Sequence, residues 1–485
     1  MQGLLSGWIG TGSIRKKTLY LVGGTVRDLL LGRASKDLDI VCRGAKVLAS
    51  AIARDRNAAL VAMEKKPDEP CYRIVDRRHH DEYLDITEMR GCDIHEDLIQ
   101  RDFTINAMAL ELKDDGTTGD LIDPCNGQRD LVQKTIRRVN DQSLVSDPLR
   151  ILRALRLSSA LGFTIEGSAL KEMQVRAGLL RDVSPERILT ELLFILKGPR
   201  SSLYFREMDL LGILEIIFPE IVPMKGCKQN GYHHKDVWGH SLLVMAHTEH
   251  ILNQLAGYFG DLSDTVAETL GEEKGPLLKL TALLHDLGKP LTRGTKPETG
   301  RITFYGHDRE GSLIADSIAE RLKMSNQQRA FITRMIAGHL RPLSLASPKA
   351  STGARMRWFR KMRDDSIPAI ILSMADVMSS RGPASGEQCR TDFISWATES
   401  VRSYFVSVRP KIETPLLING DDLISLGMQP GIALGNLLYR LRFAQDMGKI
   451  TNREEALEAA RQMIRRDDLS NAPQSPLTLR GADGE

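Results

Sequence analysis

The chain has 485 residues, of which 42% are hydrophobic and 27% charged. That composition supports buried cores over about three domains and excludes a wholly disordered protein. Lys and Arg number 66 against 63 Asp and Glu, a formal net charge of +3, which excludes a histone-like polycation but leaves room for a local basic face.

Aromatic residues are only 5%, against expectation for a Tyr- and Trp-rich all-β sandwich. The six cysteines, Cys42, Cys71, Cys92, Cys125, Cys227 and Cys389, contain no CxxC pair. This speaks against a zinc ribbon or a disulfide framework and fits a reducing cytoplasm. The opening MQGLLSGWIGTGSIRKK lacks the sustained apolar core of a secretory signal. The sequence contains no run of about 18 apolar residues of the kind that crosses a membrane.

In chain order, TLYLV (18–22) predicts a strand ending at Gly23-Gly24, and VRDLLLG a short helix closed by Gly32. DLDIV (37–41) alternates as a strand does, and YLDITEM (83–89) is a further candidate strand. From Pro148 onward the hydrophobic period is helical almost throughout. Asp147 is the expected N-cap and Pro148 the first helical residue of DPLRILRALRLSSALGF. SPERILTELLFIL (184–196) repeats the device with Ser184 as cap. The region 233–380 is helical and histidine-rich, Pro410–Pro415 reads as a linker, and a short helical unit runs to about Arg465. The polar stretch 467–485 is expected to be a disordered tail.

Two places carry chemistry. Asp37 and Asp39 lie two apart on a predicted strand, so their side chains share a face. Paired carboxylates can hold two Mg²⁺ ions against a triphosphate. Gly23-Gly24 precedes a helix, where bare backbone can approach phosphate oxygens, and Arg27 lies one turn on. Arg150 and Arg153 are three apart and share a helix face. The second place is the histidine cluster: eight of the 11 histidines fall between His233 and His339. His240, His285-Asp286 in LLHDLGKP, His307, His339 and Asp376 form an ordered series. His and Asp from several helices can converge on one or two divalent metals and activate water toward a phosphoester. His233, His234, His247 and His250 fit that series less well and read as surface or supporting residues.

LVGGTVRDLLLGRASKDLDIV resembles the first motif of the class II nucleotidyltransferases, the tRNA CCA-adding enzymes and bacterial poly(A) polymerases. EDLIQRDFTINAMAL, LIDPCNGQRDLVQKTIRRV, SDPLRILRALRLSSALGFTIE and SPERILTEL resemble the second to fifth motifs, in the family's order. HDLGK, with an upstream His and a downstream Asp, resembles the HD superfamily of metal-dependent phosphohydrolases. LLINGDDLISLGMQPGIALGNLLYRLRFAQDMGKITNREEAL (416–457) resembles the tail module of HD-containing members.

The resemblance implies an α+β protein: an N-terminal mixed-sheet nucleotidyltransferase head followed by largely α-helical neck, HD and tail domains. The implied bounds are 17–140 for the catalytic head, 141–225 for the neck, 226–408 for the HD domain and 415–466 for an RNA-binding module. Asp37 and Asp39 would carry Mg²⁺. Gly24 and Arg27 would contact the nucleotide, and Arg101 its phosphates or ribose. Asp147 and Arg150 would read the base edge, supported by Arg153; Asp85 or Asp102 would be a third carboxylate. His240, His285, Asp286, His307, His339 and Asp376 would hold a divalent metal of unspecified identity. The implied partners are the tRNA 3′ end, CTP and ATP, in the cytoplasm and without a membrane.

The chain departs from the family pattern twice. Ser146-Asp147 stands where the fourth motif usually has Glu-Asp. Only Gly91–Ile94 joins YLDITEMR to HEDL, where full CCA-adding relatives carry a longer loop; the short loop is consistent with CC addition or another specialised member. The expected activity is addition of C, A or both to tRNA, with phosphohydrolysis by the HD half. The alternatives are a poly(A) polymerase, an HD phosphohydrolase with an inactive nucleotidyltransferase module, and a non-catalytic RNA-binding protein.

Overall fold

The computed structural model describes residues 18–33, 37–63, 70–77, 83–113, 117–382 and 386–470, with backbone alone at Asp37 and 466–470. The chain forms two compact units, residues 1–227 with 313–332, and residues 228–312 with 333–485. Leu313–Ile332, inside the stretch expected to be the HD domain, thus clusters with the first unit.

The first unit is built on a mixed seven-stranded sheet of order β3-β4-β5-β2-β1-β6-β7. Its strands are β1 (Leu19–Val22), β2 (Asp37–Cys42), β3 (Ala59–Met63), β4 (Cys71–Val75), β5 (Tyr83–Glu88), β6 (Ala109–Leu112) and β7 (Thr118–Ile122). Only β2 and β5 run parallel, and their register sets Asp39 opposite Asp85. The expected strands at 18–22, 37–41 and 83–89 are present. Gly23 (φ +65°) turns β1 directly into the helix Gly23–Leu30, and Gly32 (φ +65°) follows that helix as expected. The sheet core is aliphatic: Leu21, Leu38, Ile40, Val41, Ile74, Leu84 and Ile86 are all buried.

Helices follow. Arg150–Leu161 buries Ile151, Leu152, Ala154, Leu155 and Leu157 and ends at Gly162 (φ +72°). Pro185–Lys197 packs beside it. Asp147 is not its N-cap. The residue is extended, the helix begins three residues later, and the carboxylate is drawn off by Arg187 Nη2 at 2.8 Å. Ser184 does occupy the cap position of the next helix, although its hydroxyl makes no capping bond.

The second unit centres on Ser366–Ser379, which is apolar nearly all round and therefore buried. Val237–Asn253 and Ser263–Leu284 pack against it. A two-residue hairpin, Gly294–Thr295 with Ile302–Thr303, interrupts the expected helical run. The linker expected at Pro410–Pro415 is mostly helix, Arg409–Glu413, because proline is tolerated in a first turn where its missing N–H costs nothing. The C-terminal module has its own small core of Ile418, Leu423, Leu437, Leu441, Ile450, Ala456 and Ala460. Its first helix, Gly420–Ser425, opens with a capping box between Asn419 and Asp422. The last helix runs Arg453–Ser470, so 467–470 are helical rather than tail. RRDDLS contains neither the proline nor the glycine that would end a helix. The rest of the expected tail, 471–485, lies outside the described residues.

Candidate functional site

The head cavity, about 430 Å³, opens where the helix Gly23–Leu30 leaves β1. Thr25 Oγ1 accepts from the Asp39 backbone N–H at 2.9 Å, which ties that helix to β2. The Asp39 carboxylate lines the cavity, and the Asp37 side chain lies outside the described residues. A methyl group on Gly23 would sit 3.2 Å from Arg101 Nη1 and 3.5 Å from Asp39 Oδ2, so bare backbone here stands between a cation and a carboxylate.

Six arginines line the cavity: Arg27, Arg90, Arg101, Arg150, Arg153 and Arg156. Each is fixed by a partner. Arg27 grips both oxygens of Asp28 at 2.9 Å and donates to Asn106 Oδ1 at 2.8 Å. Arg101 donates to the buried Asp97 at 2.9 Å, and Arg90 reaches the same carboxylate at 3.3 Å. Burial would raise the Asp97 carboxyl, but these two guanidiniums hold it below the usual carboxylate range. Asp102 behaves alike: burial opposes its charge, and Arg153 and Arg150 hold it low. Arg153 Nη1 lies 3.3 Å from Asp102, and Arg153 and Arg156 both reach Glu191.

Of the sequence-predicted residues, Gly24, Arg27, Asp39, Arg101, Arg150 and Arg153 gather around this cavity, and Asp147 does not. Arg150 spends its guanidinium on the carbonyls of Gln100, Arg101 and Ser143, at 3.0, 3.2 and 3.1 Å. Asp85 faces the same side as Asp39 but is held at 2.8 and 2.7 Å by Arg73. Asp102 lines the cavity with its oxygens committed to Phe103, Asn106 and Arg153. Arg90, Arg156 and Asn106 escaped the sequence reading. Arg156 continues the three-residue spacing of Arg150 and Arg153, which was the available signal.

The second constellation converges as expected. Ligand atoms of His240, His285 and Asp286 lie within 4.8 Å of one another, as do those of His285, His339 and Asp376, and of Asp286, His307 and His339. His285, His307 and His339 each direct Nδ1 to a backbone carbonyl three residues earlier, at 2.8, 2.7 and 2.7 Å. This fixes Nδ1 as the protonated nitrogen and turns the Nε2 lone pair inward. His307 Nε2 and His339 Nε2 face each other at 3.3 Å. Two lone pairs cannot bond one another, so a cation or proton belongs between them. His285 Nε2 and both Asp286 oxygens are buried without a well-formed hydrogen bond, although Asp286 Oδ2 is in ion-pair range of Lys289 Nζ at 2.7 Å and of His285 Nε2 at 3.2 Å. Buried imidazole nitrogens and carboxylate oxygens gathered within 4.8 Å of one another are the donor set of a divalent metal, and the residues fit one.

Burial pushes His339 down to about 4, with nearby His285 adding to the effect, so it is neutral at pH 7. Burial acts the same way on His240, despite Asp376 at 3.0 Å. Burial would also lower His285, but Asp286 reverses that and holds it above the ordinary histidine value. Two residues were missed. His233 packs its ring 4.6 Å from His240 and joins the ligand group with Asp376; burial pushes it down to about 3. Lys289 Nζ lies 2.7 Å from Asp286 Oδ2, and the motif HDLGK held that signal. A methyl on Gly288 would sit 2.1 Å from the His307 carbonyl, which is why glycine follows His285-Asp286-Leu287. The cluster floors a cavity of about 580 Å³ with Tyr232, Phe304, Tyr305 and Phe393 on its walls beside Arg301 and Arg390.

Three family models match the chain: the poly A polymerase head domain over residues 19–137, the probable RNA and SrmB-binding site of polymerase A over 162–224, and the HD domain over 237–381. An A-adding tRNA nucleotidyltransferase of Deinococcus radiodurans is 30% identical, covering 90% of this chain and 93% of its own. The chain belongs to the tRNA nucleotidyltransferase and poly(A) polymerase family. Another member, a CC-adding tRNA nucleotidyltransferase of Thermus thermophilus, is 29% identical over 91% of this chain and 92% of its own. A solved CCA-adding enzyme in an apo form is similar with a TM-score of 0.60 at 25% identity, covering 94% of this chain and 92% of that one. The family and the HD domain are divalent-metal dependent. Among the described residues, no helix is long and apolar enough to cross a membrane.

Proposed function

We propose that this chain is a template-independent tRNA nucleotidyltransferase that adds C, A or both to the tRNA 3′ end from CTP and ATP, and that its HD half hydrolyses phosphoesters. The layout we assign is head 17–140, neck 141–225, HD domain 226–408 and C-terminal module 415–466, in a cytoplasmic protein. The observation that carries the reading is the head cavity itself: Asp39 on one wall, six partnered arginines around it and bare glycine backbone between.

The tRNA 3′ hydroxyl oxygen attacks the α-phosphate of the nucleotide. The bond to the β-phosphate breaks and pyrophosphate leaves. Asp37 and Asp39 would hold Mg²⁺, which would supply charge stabilisation on the phosphate oxygens. Gly24 and Arg27 receive the nucleotide, and Arg101 its phosphates or ribose. Arg150 and Asp147 read the base edge, with Arg153 bracing them. For that reading Asp147 must leave Arg187 and Arg150 must release at least one carbonyl, so base selection follows a local rearrangement. In the HD half, His240, His285, Asp286, His307, His339 and Asp376 would hold a divalent metal, whose chemistry would be activation of water. Lys289 places a positive charge beside Asp286, where phosphate would approach.

Within this class, CC addition is favoured by the connection after β5. It is short and fastened: Arg90 N–H bonds Asp97 at 3.1 Å, Cys92 N–H bonds Glu96 at 2.6 Å and Arg43 bonds the Gly91 carbonyl at 3.1 Å. The test offers pure protein with Mg²⁺ three tRNA transcripts, ending before the tail, after C and after CC, with CTP, ATP or both. The expected product stops at CC, and an Asp37→Ala/Asp39→Ala control is inert. Growth to CCA removes the significance of the short loop, and long A tails indicate a poly(A) polymerase. No extension overturns the polymerase reading and leaves the HD hydrolase.

A further inference from the structure

Three charged residues stand in one row across the head sheet. Asp39 on β2 is the register partner of Asp85 on β5, and Asp85 is in turn the partner of Arg73 on β4. Register partners share a sheet face. The row therefore reads carboxylate, carboxylate, guanidinium, on the face where Asp39 and Thr87 line the cavity. Like charges directly opposite each other destabilise a strand pair, and Arg73 relieves this one. Its fork closes on both Asp85 oxygens, Nε on Oδ1 at 2.8 Å and Nη2 on Oδ2 at 2.7 Å. The guanidinium also lies 3.9 Å from the centre of the Tyr83 ring, two residues before Asp85 on the same face, which fixes the plane of the fork.

The family resemblance offers Asp85 as a third carboxylate beside Asp39, and Asp85 does not fit the part of a metal ligand. Both its oxygens are taken by a cation, the residue is buried, and it is not among the residues that line the cavity. A metal reaching it would first have to break a bidentate ion pair. Strand spacing puts Asp85 about 5 Å from Asp39, and an unpaired carboxylate at that range would draw a divalent ion strongly. Paired with Arg73, it contributes almost no net charge. Arg73 lies outside the five motifs that carry the resemblance, which therefore assigns it no role.

We infer that Arg73 is a positioning residue: it occupies Asp85 as a resident cation, keeps that carboxylate out of the metal's coordination, and leaves the head with weak metal binding until a triphosphate adds its own negative charge. The inference rests on the nucleotidyltransferase reading of the head. It makes the divalent ion a companion of the nucleotide rather than a fixture of the sheet.

The test measures Mn²⁺ binding by the full chain without nucleotide, by electron paramagnetic resonance. The share of binding that Asp39→Ala removes is the head's, since the HD cluster is common to both proteins. Arg73→Gln frees Asp85 and is expected to tighten the head's share by about tenfold after screening. Arg73→Gln/Asp85→Asn removes one charge of each sign, so affinity should return to within about threefold of the unmodified protein. In tRNA extension, the Mg²⁺ concentration for half-maximal rate falls in Arg73→Gln and is restored in the double variant. The double variant carries the test alone if the single one folds poorly. A rise below about threefold in Arg73→Gln, or a loss beyond about threefold in the double variant, overturns the role of Arg73. Head binding that is undetectable in both the unmodified protein and Arg73→Gln does the same. In each of these cases, extension of tRNA by the unmodified protein leaves the nucleotidyltransferase reading standing. A chain that neither binds Mn²⁺ through Asp39 nor extends tRNA overturns both.

Discussion

The two sites in this chain solve opposite electrostatic problems. In the head, charged side chains are already satisfied: Arg27 has Asp28, Arg101 has Asp97, and Arg153 has Asp102 and Glu191. In the HD half, one cation, Lys289, stands against several buried acceptors: His285 Nε2 has no well-formed hydrogen bond, and the Nε2 atoms of His307 and His339 are aimed at each other. A site that satisfies itself can stand empty between visits of a charged ligand. A site that leaves acceptors orphaned is unstable until something resident fills it. On the proposed reading, the head suits a ligand that comes and goes, and the HD cluster a metal that stays.

The largest expected effect that sharpens this contrast is Asp39→Ala. Nucleotidyl transfer should fall by about three orders of magnitude, since charge stabilisation by a held metal contributes several kcal/mol. Metal content of the purified protein, by elemental analysis, should not change. Loss of tightly held metal in that variant would break the comparison. Next comes metal removal. Stripping divalent ions should lower the thermal midpoint by several degrees, because a ligand bound only to the folded state stabilises it. His339→Ala should abolish that difference and leave tRNA extension intact. An unchanged midpoint on stripping would mean the cluster is held together without a metal.

The smallest effect is in acid. His247, bonded to Ser379 Oγ at 2.8 Å, is kept neutral chiefly by burial, with Arg381 and His250 adding to it. Its folded value is lowered, so the unfolded chain takes up the proton first, near pH 6.5, and the second unit loses stability as pH falls below about 6.5. Asp97 and Asp102 also have lowered folded values. For a carboxylate the contribution is full above about pH 4 and is lost only as pH falls through those lower values. Hydrogen exchange followed by peptide should show the second unit loosening before the first. His247→Gln should narrow the gap, and simultaneous loosening of both units would refute the assignment.

Much of this was legible in the sequence, for physical reasons. The six HD residues stand out because buried His and Asp are rare in helical cores and their motif spacing is tight. The strands at 18–22, 37–41 and 83–89 announce themselves by apolar content and alternation. β3 did not, because Ala59–Met63 is mostly exposed and lacks a buried face. β7, TGDLI, has none of the β-branched density that marks a strand beyond Thr118 and Ile122. The cap assigned to Asp147 failed because a capping signal is local, whereas Arg187 competes for the same carboxylate from 40 residues away. His233 was missed because its place is set by packing on His240, and no period encodes that contact.

One glycine ties the HD cluster together. Gly288 lets the turn carrying His285 and Asp286 rest directly on the backbone of His307. Ligands from two separate stretches of chain are thereby clamped at one point where no side chain fits. A single added methyl group at Gly288 would therefore disturb the whole cluster while leaving every histidine and aspartate in the sequence. The cluster is thus specified as much by the residue that has no side chain as by those whose side chains converge.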